Sequence, residues 1–315
     1  MAENFDAIII GAGVIGASVG LELARQGWRT LNVDRLPAAG YGSTSASCAI
    51  IRSHYSTLDG TALAFEGYQY WRQWADHLGV DDERGLARFE EVGCAIMKTP
   101  LNGHMASICA NLDALGIAWE DWDNETLSKR LPIYDLHSYA PAKLPDDPGF
   151  GEATGPSMHG AIFTPQAGYI SDPQLATHNV QVAAEAAGGK FRFNCDVIAI
   201  RQMNGRACGI TLANGDEIDA AVVVNVAGPH SSKVNELAGV AESMTIKTRA
   251  LRQEVVHLPS PDGFDYMTHG PVTSDSDISC YSRPEVGNHI LFGSEDPECD
   301  EREWVDPDNY NTEFT

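Results

Sequence analysis

Positive charge is scarce in this chain. Its 315 residues carry 21 Lys+Arg against 44 Asp+Glu, a formal net charge of −23, so it lacks the basic footprint needed to bind a phosphate backbone or an anionic membrane surface. Nucleic acid is therefore not an expected partner. Cysteine is too sparse and irregular for a disulfide framework. The seven residues, Cys48, Cys94, Cys109, Cys195, Cys208, Cys280 and Cys299, form no C-x-x-C pair and show no metal-ligand spacing. An odd, scattered set fits reduced thiols in a cytoplasmic protein, and no metal site is expected. Long hydrophobic runs are missing as well. The apolar run Ala7–Leu21 follows acidic residues where a signal peptide needs positive charge, and four glycines interrupt it. No segment reaches the roughly 18 uninterrupted apolar residues of a membrane span. Hydrophobic residues at 43% and charged residues at 21% describe an ordinary globular chain.

The N-terminal segment reads as a β-α-β unit. Ala7-Ile8-Ile9-Ile10 is a short β-branched run of the kind buried on both faces of a parallel sheet. Gly11-Ala-Gly13-Val-Ile-Gly16 follows, and helical spacing continues from Val14 to Gln26, with Gly27 as the stop. Thr30–Val33 makes a second strand, ending at Asp34, 23 residues beyond Gly11. A lone G-x-G-x-x-G is weak, but strand before, helix after and an acid at the next strand end make it a dinucleotide-binding turn. Gly11 permits the tight turn, Gly13 lets backbone approach a pyrophosphate, and Gly16 allows close helix–strand packing. The helix N-terminus offers free N–H groups to phosphate. Asp34 is the candidate acceptor for the adenosine ribose hydroxyls.

Residues 38–49 form a loop rich in Gly, Ala and Ser/Thr. Asp59–Leu78 reads as a helix with Leu63, Tyr70, Trp71, Trp74 and Leu78 as packing residues. Glu91–Lys98 reads as a strand, with Asn102–Leu115 and Glu125–Leu131 as helices. The proline- and glycine-rich stretch 141–156 is a candidate domain crossing. Ser171-Asp172-Pro173 marks the start of a helix over Gln174–Ala187. Phe191–Ile200 and Ala207–Leu212 read as a strand pair with Asn214-Gly215 as a turn signal. Ala221–Val226 is a further strand, while 245–258 and 278–292 belong to a separate sheet. Tyr281 and Arg283 alternate on one of its strands and so share a face.

After the second strand, regular β-α units do not continue. The chain runs into Gly40-Tyr-Gly42-Ser43-Thr44-Ser-Ala46-Ser-Cys48-Ala49-Ile50-Ile51-Arg52. Here the sequence resembles the glycine/sarcosine/D-amino-acid oxidase (DAO) superfamily of flavoproteins, most closely its sarcosine-oxidase-like members. The β-α-β unit Ala7–Asp34, the loop Gly42 to Tyr55, the segment Gly168-Tyr-Ile-Ser-Asp-Pro173 with Asp196-Val197, and Asn225-Val-Ala227-Gly228-Pro-His-Ser231 carry the resemblance. Arg249-Ala-Leu-Arg252-Gln-Glu is a weaker fifth match.

The resemblance implies a glutathione-reductase-type, Rossmann-like α/β FAD domain over 1–84 and 150–240. A substrate domain on a mostly antiparallel sheet would take 85–149 and 241–315. It implies that Gly11, Gly13, Val14, Ile15, Gly16, Asp34, Arg35, Ser43, Thr44, Cys48, Ala49, Ile50, Val197, Ala227 and Gly228 line the FAD. Ala46 stands where some relatives place a flavin-linking histidine, which implies non-covalent cofactor. Arg52 would hold a substrate carboxylate through its planar fork, and a surface ion pair is the ordinary alternative. His54, Tyr281 and Arg283 are further substrate-side candidates; a lone histidine is more often structural. The implied reaction is oxidation of the C–N bond of an amino acid or N-methylated amine, giving an imine that water hydrolyses.

The strand His289-Ile-Leu-Phe-Gly293 lacks the lysine that some family oxidases use in oxygen reduction, so oxygen or another acceptor stays open. Residues 295–313 hold nine acids and one arginine and do not resemble the family's closing segment. A further segment or a partner chain is therefore expected to cover the flavin, with an unpaired sheet edge in its absence. Two other readings compete: a non-catalytic or incomplete FAD-binding subunit, and a nicotinamide-dependent dehydrogenase.

Overall fold

A computed structural model describes residues 4–314; Met1–Glu3 and Thr315, the outer ends of the expected domain ranges, lie outside the described residues. The chain opens with β1 (Asn4–Ile10), α1 (Val14–Arg25) and β2 (Thr30–Val33). After a long loop come β3 (Ile50–Ile51), α2 (Leu58–Arg72), α3 (Trp74–Leu78), β4 (Phe89–Glu90) and β5 (Cys94–Met97). Next are α4 (Met105–Leu115), β6 (Glu120–Trp122), α5 (Asn124–Arg130), the short pair β7 (His137–Ser138) and β8 (Gly155–Ser157), then β9 (Ala161–Thr164) and β10 (Gly168–Ile170). The chain continues through α6 (Pro173–Ala186), β11 (Lys190–Arg192), β12 (Val197–Met203), β13 (Arg206–Leu212), β14 (Glu217–Asn225) and α7 (Ser231–Leu237). It ends with β15 (Ala250–Leu251), β16 (Val255–Pro259), α8 (Tyr266–His269), β17 (Val272–Asp275), β18 (Cys280–Glu285), β19 (His289–Ser294) and β20 (Trp304–Val305).

Two sheets organise the molecule. The first runs β11-β2-β1-β14-β13-β12, parallel from β11 to β14 and antiparallel beyond. This is the Rossmann-like α/β layer. Phe5, Ala7, Ile8, Ile9 and Ile10 of β1 are all buried, as a central strand covered on both faces requires. One covering layer pairs α1 with α6, meeting through Ala17, Leu21, Ala176, Val180, Ala183 and Ala184. Beyond Asp219, β14 pairs with β1 alone among the described strands, and Val222 is exposed.

The second sheet runs β16-β19-β18-β17-β5-β9-β6 and is antiparallel except where β17 meets β5. One face packs Cys94, Ile96 and Val272 against α4 and Ile50 of β3. The other packs Ala95, Met97 and Ile290 against Leu127 of α5 and Tyr266 of α8. The small sheet β3-β10-β4 joins the two halves. β9 pairs in the second sheet, although it lies within the range expected for the FAD domain.

Local detail departs from the sequence reading in three places. The stretch 59–78 is two helices, because Gln73 leaves helical geometry at φ −111 and ψ 39. The buried side of α2 carries Thr61 and Tyr68, one heptad apart, so Leu63 and Tyr70 face solvent. Phe191–Ile200 is also divided: Asn194 takes φ +55, β11 joins β2 in parallel, and β12 pairs with β13. The turn between β12 and β13 is Asn204-Gly205, both at positive φ, whereas Asn214-Gly215 leads from β13 into β14.

Candidate active site

The glycine turn sits at the C-terminal edge of the parallel sheet. Gly11 has φ +116, and a Cβ there would lie 2.4 Å from the Val226 carbonyl oxygen; one on Gly16 would lie 2.1 Å from the Gly11 oxygen. Backbone fills both places, so these glycines close the turn. A Cβ on Gly13 would meet only Thr44 Oγ1, at 3.1 Å, so this side of the turn is open. The first turn of α1 has no side-chain cap and no acidic residue, and Val14 N donates to Thr44 Oγ1 at 3.2 Å. Ile15 is exposed at the same helix end. An open, uncapped helix N-terminus approached by backbone is a fitting cradle for a pyrophosphate.

Asp34 closes the other side. Its Oδ2 accepts from Ala12 N at 2.7 Å and its Oδ1 from Leu36 N at 2.9 Å, and each oxygen retains a lone pair for a hydroxyl. The chain before Val197 wraps this residue, with Asp34 N donating to Arg192 O and Cys195 N to Asp34 O. Ala227 and Gly228 follow β14, whose Val226 N donates to Ile10 O at 3.0 Å. Ser43 Oγ lies 3.6 Å from the position of a Cβ on Gly228. Arg35 is ion-paired with Asp308, which also meets His230 Nε2 at 3.0 Å, and Lys233 pairs with both Asp306 and Asp308. Residues 306–308 therefore bridge the two strand ends that flank the glycine turn.

The loop after Thr44 leads from this cradle to the second sheet. Ala49 takes φ +51, a left-handed conformation uncommon for a residue with a Cβ. β3 then pairs with β10, with Ile50 opposite Tyr169. Buried Cys48 receives the Tyr281 hydroxyl at 3.6 Å, and the Tyr281 ring occupies the space above Gly293. Burial, then Cys48, raises the Tyr281 hydroxyl well above its ordinary range, so it stays protonated. Arg283 shares the Tyr281 face. Its guanidinium lies 4.4 Å from the Tyr169 ring centre and pairs with Glu285 at 2.9 Å, and its Nε has no partner in the structure. A cavity of about 350 Å³ opens here between the loop 45–48, residues 171–173 and the second sheet, lined by Cys48, Asp172, Arg283, Glu285 and Leu291 among others.

Arg52 and His54 stand beyond Ile51, outside the lining of that cavity. Arg52 is exposed, its Nη1 is 3.4 Å from His54 Nε2, and its guanidinium lies 4.6 Å from the Tyr55 ring centre. Among the described residues it forms no salt bridge. His54 is buried; burial first, then the Arg52 charge, lowers its pKa to about 3. It is neutral at pH 7, and its Nδ1 has no partner. Thus Tyr281, Arg283 and Cys48 converge, while Arg52 and His54 form a second group.

Two polar positions escaped the sequence reading. Asn32, fully buried in β2, donates from Nδ2 to the carbonyls of Gly11 at 3.2 Å and Gly16 at 2.8 Å. A lone amide inside the run Thr30–Val33 was its only signal. Glu295 follows β19 and accepts from Ser274 Oγ at 2.6 Å; nothing in its acidic surroundings distinguished it.

The family model for DAO, FAD dependent oxidoreductase, matches residues 6–314. The MnmC protein of tRNA 5-methylaminomethyl-2-thiouridine biosynthesis from Paraburkholderia xenovorans is 26% identical, over 82% of this chain and 35% of its own. Monomeric sarcosine oxidase from a Bacillus species is 23% identical, over 93% of this chain and 66% of its own. The chain thus spans less than two thirds of either relative. L-proline dehydrogenase from P. horikoshii superposes with a TM-score of 0.76 at 18% identity, covering 95% of this chain and 73% of its own. The chain belongs to the DAO family of FAD-dependent oxidoreductases, and the open cradle at Gly13, the uncapped end of α1 and the carboxylate of Asp34 fit FAD. Among the described residues no helix is long and apolar enough to cross a membrane, and no group of side chains has a metal-binding arrangement.

Proposed function

We propose that this chain oxidises the C–N bond of an amino acid or N-methylated amine, with oxygen or another acceptor taking the electrons onward. The observation that carries the reading is Arg52: in a chain of net charge −23, its exposed guanidinium has no carboxylate partner among the described residues. A planar fork left free at the joint between the two sheets suits a substrate carboxylate. The names of two similar proteins, a sarcosine oxidase and an L-proline dehydrogenase, support a substrate that carries both carboxylate and amine.

Bound FAD supplies the two-electron acceptor for the substrate carbon beside nitrogen. The chain's own part is binding and orientation. Arg52 would fix the carboxylate. Neutral His54 keeps a second positive charge away from Arg52. Hydrolysis of the resulting imine releases ammonia or an alkylamine, or formaldehyde where the N-methyl carbon is the one oxidised. The exposed edge of β14 beyond Asp219 supports a further segment or partner chain covering this side. The test is incubation of the flavin-loaded protein with amino acids and N-methylated amines plus an electron acceptor, assaying released ammonia, methylamine or formaldehyde. Release dependent on the substrate supports the reading; absence of release across the panel overturns it.

A further inference from the structure

The segment 303–314 is held at two separate places. At its base β20 pairs with β15, Trp304 opposite Leu251 and Val305 opposite Ala250, and the Arg249 guanidinium lies 3.9 Å from the Trp304 ring centre. Arg252 ties the two ends of the segment together. Its Nη1 meets Glu303 Oε2 at 3.0 Å, its Nε donates to Asn311 O at 2.9 Å, and its Nη2 donates to Glu313 O. The chain between forms a loop whose tip is a tight turn, with Asn309 N donating to Asp306 O and Asp308 N to Asp306 Oδ1, both at 3.0 Å.

The tip lies on the other sheet. Asp308 Oδ1 meets Arg35, the residue after Asp34, and also His230 Nε2 at 3.0 Å, two residues after Gly228. Lys233 of α7 pairs with both Asp306 and Asp308. Arg35 follows the end of β2 and His230 the end of β14, and β1 runs between these two strands. Neighbouring strands about 4.8 Å apart put the two ends roughly 10 Å from one another, and Asp308 spans that gap. The tip therefore crosses the end of β1, where the Gly11–Gly16 turn and the Asp34 carboxylate form the cradle that fits FAD. Lys233 first, then Arg35, hold the Asp308 carboxyl well below its ordinary range, so it is ionised. These side chains are all partly exposed, so each pair alone is weak and salt screens it. The tip's hold comes from one carboxylate shared among Arg35, His230 and Lys233.

We propose that residues 305–311 form an ionic strap across the adenosine half of the FAD cradle, and that release of Asp308 from its cations sets the rate at which FAD enters and leaves. The proposal concerns cofactor exchange and holds whichever substrate the protein oxidises. The tip grips protein cations and not the cofactor: two carboxylates drawn close to a pyrophosphate would repel it. The strap is thus a bar over the cradle and not part of its lining. When the tip lifts, the contacts of Arg252 and the β15–β20 pair keep the loop attached at its base, so it closes again without refolding.

The test is stopped-flow fluorescence of FAD association with the full chain and of FAD release from it, in the parent, in Asp308→Asn and in the milder Lys233→Gln. At low salt, both rates should rise at least tenfold in Asp308→Asn, leaving Kd within about threefold of the parent. Lys233→Gln should raise both rates by less. Raising NaCl to about 0.5 M should speed both steps in the parent and leave Asp308→Asn nearly unchanged. Melting midpoints of the cofactor-free proteins should agree within about two degrees. Rates within about twofold of the parent in both variants would overturn the strap. Faster release with unchanged association would also overturn it, making the tip a wall of the site. So would midpoints several degrees lower in both variants, which would assign these residues to the stability of the fold.

Discussion

Asn32 Nδ2 donates to the Gly16 carbonyl at 2.8 Å, so a buried side chain of β2 holds the first turn of α1 against the sheet. The space for it exists because position 20 is glycine: a Cβ there would lie 2.3 Å from Asn32 Oδ1. Asn32→Ala removes the donor shared by the Gly11 and Gly16 carbonyls and leaves a void. The expected loss is about 1–3 kcal/mol of stability, read as a lower urea midpoint, together with weaker FAD retention. Gly20→Ala should mimic it. An unchanged midpoint in both variants would mean that packing alone positions the turn.

The three glycines of the turn should separate into two kinds. Gly16→Ala places a Cβ 2.1 Å from the Gly11 oxygen, so melting temperature and FAD affinity should fall together. Gly13→Ala meets only a hydroxyl at 3.1 Å; the cofactor-free protein should melt within a degree or two of the parent and yet bind FAD more weakly. Thermal melts with and without FAD measure both. A Gly13→Ala protein with parental FAD affinity would remove the pyrophosphate from this face.

His54 makes stability pH-dependent in a definite direction. Folding lowers its pKa from 6.5 to about 3, by burial first and the Arg52 charge second. Between those values the unfolded chain binds the extra proton. The contribution is therefore fully present above about 6.5 and is lost progressively as pH falls toward 3. It should amount to a few kcal/mol, on the order expected for a buried imidazole. In His54→Gln the difference in stability from the parent should shrink as pH drops from 7 to 4, measured by urea unfolding. A difference independent of pH would show that His54 charges without penalty.

How much of this was legible in the sequence follows from where each residue gets its role. The β-α-β unit was readable because its causes are local: a β-branched run, three glycines at fixed spacing and an acid at a strand end. Leu63 and Tyr70 were misread because the break at Gln73 and the partners of α2 depend on distant packing. The division of Phe191–Ile200 was equally hidden, since β11 ends where it meets β2. Arg52 was visible through resemblance, but its lack of an ion pair is a fact of three dimensions. The Tyr281–Cys48 contact joins residues 233 positions apart, and the Glu295–Ser274 bond needs the register of three strands.

The most direct measurement of the proposed chemistry is the absorption spectrum of the oxygen-free, FAD-loaded protein after adding amino acids, simple amines and matched alcohols, in the parent and in Arg52→Lys. In the parent, an amino acid or N-methylated amine should bleach the flavin and the alcohols should leave it oxidised. Arg52→Lys keeps the charge but loses the fork, so kcat/KM for amino acids should fall roughly 10- to 150-fold, the equivalent of about 1.5–3 kcal/mol, and simple amines should lose much less. Bleaching by alcohols and not by amines, or equal losses on amines and amino acids, would contradict oxidation of a C–N bond with Arg52 on the carboxylate.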